Sequence, residues 1–137
     1  MKQSARYATV IIVVHALVAT VHGLAHKHLG ITLTPAQTLF VVVVITLAPL
    51  LALILLWTRW RKLGAALLFL SMLGSLAFGV INHFLITSSD HVLHLAVSPN
   101  VVEWRLTFQI TAALLVVTEV LGCLVASWSL RSFKRVS

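Results

Sequence analysis

Charge is scarce in this chain: 9% of its 137 residues are Asp, Glu, Lys or Arg, against about 25% in an ordinary soluble domain. With 60% of residues hydrophobic, a soluble monomer would have nowhere to bury its apolar surface. A single cysteine, Cys123, excludes an intrachain disulfide framework and a Cys-rich zinc site. There is no Gly-rich phosphate loop, and Gly74-Ser75 lacks the Gly-x-Ser-x-Gly pattern of a nucleophile elbow. Ser88, Asp90 and His91 lie too close in sequence to make a triad. Acidic residues number only three against ten Lys and Arg, for a formal net charge of +7. On a soluble protein that balance would point to nucleic acid. Here the charges flank long apolar runs, so anionic headgroups account for them and no nucleic-acid partner is expected.

Crossing about 30 Å of hydrocarbon takes about 20 apolar residues at about 1.5 Å each. Four segments meet that length, at 6–28, 34–57, 63–86 and 104–130, predicting an all-α membrane protein built as one four-helix transmembrane domain over 1–137. Trp57, Trp60, Trp104 and Trp128 all fall at predicted helix ends, where the indole ring prefers the headgroup layer. Lys2, Arg6, Arg59, Arg61, Lys62, Arg131, Lys134 and Arg135 collect on one side and only Lys27 and Arg105 on the other. The positive-inside rule therefore makes both termini cytoplasmic, in a multi-pass protein of the bacterial cytoplasmic membrane. The first segment has a long apolar run without a clear small-residue cleavage site, and reads as a retained helix rather than a signal peptide.

Small residues allow helices to approach closely in lipid. Ser71, Ser75 and Gly79, with Gly74 beside them, form such a stripe on the third span. Ala112, Cys123 and Ala126 share the face of Glu119 on the fourth, where Cys123 is inert packing. Pro49 should kink the second span or free a carbonyl. The loop from Thr87 to Glu103 has Ser88 or Ser89 as a cap, Asp90 in a first turn and Pro99 as a stop. It predicts a short amphipathic helix in the outer interface, with His91, His94 and Ser98 on one face.

The histidines share one side. His22, His26 and His28 lie at the outer end of the first span, His83 at that of the third, and His91 and His94 in the outer loop. At about 100° per residue, His15, His22 and His26 form one narrow stripe while His28 points away. His22 and His26 are an i, i+4 pair able to place two imidazoles on one ion, and Asn82, His83, Asp90, His91 and His94 can reach the same end. Imidazole and ionisable groups are costly within a span, so their gathering implies a shared polar purpose.

Two cofactors fit this pattern. Haem b would take His22 or His26 opposite His83 as its axial pair, with Gly79 and Ser75 making room; four-helix membrane subunits with bis-His haem share this architecture. A transition-metal ion would draw its ligands from His22, His26, His83, Asp90, His91 and His94. The lack of nearby Cys or Met favours zinc, copper(II) or non-haem iron over copper(I). Electron transfer near the outer surface is the first expectation, and metal binding or transport the alternative. An accessory subunit of a larger membrane complex, with no catalysis of its own, is the third; no catalytic residue is assigned. His15 and Glu119 lie about 14 and 16 Å from their cytoplasmic ends, so they can meet as a helix-to-helix pair or a proton relay. A carboxylate at that depth costs about 2.5–3.5 kcal/mol unless protonated or partnered. Gln109 is expected to make a hydrogen bond between helices.

Overall fold

The computed structural model describes residues 2–95 and 102–134, and among these there is helix and turn but no strand. Helix α1 runs Lys2–His28, α2 Pro35–Leu56, α3 Arg61–Leu85 and α4 Val102–Lys134. All four contain stretches long and apolar enough to cross a membrane, which marks the chain as a membrane protein. Leu17, Leu39, Leu70 and Leu124 are more than half exposed, as side chains facing lipid should be.

The long α4 packs along both α1 and α3, and α3 packs on the Ala48–Leu56 part of α2. Only that part of α2 meets α1 appreciably. Helix α2 is also the most apolar and least covered of the four, with 17% of its central window buried. Its start is well defined. Thr34 Oγ1 accepts from the Gln37 backbone N–H at 3.3 Å, while Gln37 Oε1 accepts from the Thr34 N–H at 2.9 Å, a capping box with Pro35 at the first position. Over Val41–Leu47 the helix widens to a π-helix, just before Pro49. Proline supplies no N–H to the preceding turn, and bonding to the fifth residue is one way a helix absorbs such a defect. A second π segment, Ile81–Leu85, ends α3 and carries His83.

The packed interior far from the histidines is made of Ala8, Ile12, Ala52, Leu56, Ala65, Leu68, Met72 and Ala126. Its alanines let backbones approach closely, which is what holds helices together where water gives no hydrophobic drive. Gly64 is required there: a Cβ would stand 2.8 Å from Leu56 N and 3.0 Å from Ala52 O, both backbone atoms. At the opposite end Ala25, Leu95 and Phe108 form a second cluster, flanked by Leu29, Ile31, Val92 and Trp104.

The amphipathic helix expected in the loop before α4 is not formed over 86–95, which makes turns instead; Ala96, Val97, Ser98 and Pro99 lie outside the described residues. The physical cause is competition for backbone groups. Val92 N–H donates to His83 O at 3.0 Å, Val92 O accepts from Gln109 Nε2 at 2.8 Å, and Leu93 N–H donates to His91 Nδ1 at 3.2 Å. With these partners the segment is bound to the bundle end, and Asp90 and His91 are buried. Gln109 thus ties a helix to a loop rather than to another helix.

A candidate metal centre at one end of the bundle

Helix α1 contributes His22 and His26 one turn apart, and the π turn of α3 brings His83 against them. His22 Nε2 lies 3.2 Å from His83 Nε2 and 3.2 Å from His26 Nε2. One ligand atom from each ring falls within 4.8 Å of the others, a group that could hold a metal ion. Two nitrogens bound tetrahedrally at about 2.0–2.1 Å from one ion stand about 3.3 Å apart, close to these separations. Phe108, fully buried, backs all three rings at centroid distances of 4.6, 5.1 and 5.3 Å.

The surrounding hydrogen bonds fix which nitrogens of His22 and His83 carry protons. The Thr111 hydroxyl donates its one proton to the Thr107 carbonyl at 2.7 Å. Its oxygen must therefore accept from His22 Nδ1–H, 2.9 Å away. His83 Nδ1 lies 3.0 Å from the Asp90 carbonyl oxygen, which can only accept, and 3.2 Å from Asp90 Oδ1. So His83 also carries its proton on Nδ1. In the neutral rings both Nε2 atoms then present lone pairs to each other. That contact is no hydrogen bond, and a cation between the rings relieves it. A proton can bridge two nitrogens, but a third imidazole nitrogen at the same point is what a metal ion uses.

Metal-bound imidazoles pass their second N–H to a carboxylate, carbonyl or water; His83 passes its own to the Asp90 backbone carbonyl and His22 to a hydroxyl, while His26 Nδ1 has no hydrogen-bond partner among the described residues. The Asp90 carboxylate lies beside the rings. Its Oδ1 is 3.3 Å from His26 Nε2, yet it stands outside the three-histidine group. His91 and His94 also stand outside that group. His91 Nε2–H donates to the Phe84 carbonyl at 3.2 Å, and its Nδ1 lies 3.0 Å from His94 Nδ1. His91 thus ties the loop to the end of α3, and His94 leans on His91. His28 stacks on Trp104 at 3.9 Å, and Asn82 is engaged by Phe78 O and Gln37 Nε2 at 2.8 and 3.1 Å.

His15 and Glu119 do not pair. His15 Nδ1–H donates to Thr118 Oγ1 at 3.2 Å, since the Thr118 hydroxyl donates to Leu115 O at 2.9 Å. Glu119 instead lines a cleft of about 350 Å³ that has His22, His26, His83 and Asp90 at one end. A second cavity of about 310 Å³ holds His15 and shares Ala19, Val41 and Ile45 with the first.

Residue spacing gives His22, His26 and His83 among six candidate ligands, but not Thr111 or Phe108. A signal for Thr111 exists: His15 and His22 are seven apart on α1, and their partners Thr118 and Thr111 are seven apart on the antiparallel α4. Comparison of the chain with known protein families, with curated proteins and with solved structures finds no match.

Proposed function

We propose that this chain is a membrane protein that holds one transition-metal ion of the zinc, copper(II) or iron class through His22, His26 and His83. The observation that carries the reading is the pair of facing Nε2 lone pairs at 3.2 Å with a third imidazole nitrogen beside them. Imidazole suits those ions, and no thiolate stands at the site to select copper(I).

A bare ion accounts for the geometry better than haem b. Axial imidazoles on opposite faces of a porphyrin hold their nitrogens about 4 Å apart, twice a metal–nitrogen bond of about 2.0–2.1 Å. The 3.2 Å between His22 and His83 is shorter, and His26 occupies the same point. Electron transfer is then the chemistry of a copper or iron ion rather than of haem.

Transport across the bilayer is the weaker role. The cavities reach inward to His15, Ile12 and Pro49, and beyond them lies the packed cluster that includes Ala8, Leu68, Met72 and Ala126. Three protein ligands leave a coordination position open, the pattern of a reactive centre. The positive-inside rule places this centre on the non-cytoplasmic side, in a bacterial cytoplasmic membrane or its equivalent.

Elemental analysis and an absorption spectrum on the same detergent-purified sample test the reading. One metal per chain without a Soret band is the expected result. A Soret band that persists on purification would establish haem, and neither bound metal nor affinity for added zinc, copper or iron would remove the proposal.

A further inference from the structure

Two side chains in the cleft have no use in the metal site. Glu119 is 2% exposed and its Oε2 lacks a hydrogen-bond partner. Ser75, fully buried, has no partner for its Oγ. Both line the cleft that ends at the three histidines. Buried polar groups without partners are rare, and each is a place where a ligand or water belongs. Gly79 keeps the passage between the two ends clear: a Cβ there would stand 3.9 Å from Glu119 Oε2 and 3.9 Å from His83 Cδ2.

The rest of the cleft is apolar, with Ala19, Val41, Ile45, Phe78 and Leu115 in its walls. Its side between α1 and the first half of α2 is not closed by helix packing, because those segments scarcely touch. Both lie within membrane-spanning stretches, so the opening is at the depth of lipid chains. An apolar cleft with a Lewis-acidic point at one end and hydrogen-bonding groups within reach selects a molecule of matching character.

We infer that the cleft binds a lipid-soluble, hydroxyl-headed molecule, an alcohol or phenol, whose oxygen reaches the open position of the metal. Glu119 and Ser75 hydrogen-bond the head, and its hydrocarbon part leaves between α1 and α2. The coordination half of this inference rests on the metal reading; the chamber itself does not. Long-chain alcohols and alkylated hydroquinones share the recognised chemistry and differ in the ring.

The test uses the full chain in phosphatidylcholine bilayer discs, loaded with cobalt(II), whose visible spectrum reports its ligands. Decanol, a decyl-substituted hydroquinone and decane are titrated separately. The expected result is a saturable spectral change with decanol, the hydroquinone or both, which separates the two sources, and none with decane. Measured per bound cobalt, Glu119→Leu raises the half-saturating concentration by about tenfold, the scale of one lost buried hydrogen bond. Gly79→Val, which fills the passage, abolishes the change. A decane response equal to that of decanol, or no response from either hydroxyl compound, overturns the inference. Should cobalt fail to bind, the metal reading falls separately. The chamber is then tested in the same discs by a photoreactive diazirine alcohol, expected to label cleft residues in competition with decanol but not with decane. Labelling that decane displaces equally, or that avoids the cleft, contradicts it.

Discussion

His22 and His83 enter the site with their Nδ1 protons already given to Thr111 and Asp90, which leaves both Nε2 atoms free for one ion. Replacement of His22, His26 or His83 by Ala should therefore weaken metal binding by more than the roughly 10–100-fold that loss of an outer hydrogen-bond partner costs. Thr111→Val should fall within that 10–100-fold range, because it removes only the acceptor that orients His22. His91→Ala and His94→Ala should leave the affinity unchanged, since neither ring belongs to the three-histidine group. Competition titration against a chromophoric chelator measures all six. Protons compete for the same lone pairs, so affinity in these titrations should fall as pH falls. At this scale the sequence reveals ligands better than their supports. The i, i+4 spacing of His22 and His26 is visible in one helix, whereas the Thr111 contact exists only once α4 lies antiparallel to α1.

Among the elements, the four spans follow from apolar length alone, while the start of α2 is fixed by Thr34, Pro35 and Gln37. The π segments do not follow, since Val41–Leu47 is apolar throughout and only Pro49 hints at a defect. The loop helix was inferred from capping and stop residues. Those are local signals, and the bonds of Val92 to His83 and Gln109 on the bundle, with that of Leu93 to His91 within the loop, outweigh them over 86–95. Helix crossings yield a stability prediction. Gly64→Ala sets a Cβ against fixed backbone atoms of α2 and should cost about 1–3 kcal/mol, the usual penalty of overpacking. Gly23→Ala meets nothing within 4 Å and should gain up to about 1 kcal/mol in helix propensity. Thermal unfolding in detergent should show the first variant melting lower, and the second melting at or above the parent.

For the whole molecule, polarity is divided between the ends. The histidines other than His15 occupy one end of the bundle with Asp90, while the basic turn Arg59, Arg61 and Lys62 lies at the other. With four crossings and this charge bias, reporter fusions to either terminus should be active only in the cytoplasm; activity on the far side would invert the proposed orientation. The interior beyond His15 is packed by the apolar cluster of Ala8, Leu68, Met72 and Ala126, so vesicles enclosing a zinc-sensitive dye should show no protein-dependent influx.

Zinc K-edge X-ray absorption on the zinc-loaded protein addresses the shared site most directly. The account predicts one zinc per chain with three imidazole nitrogens at about 2.0–2.1 Å, and loss of that imidazole scattering in His83→Ala. Zinc bound with fewer than three imidazoles, or a spectrum unchanged in His83→Ala, would contradict it.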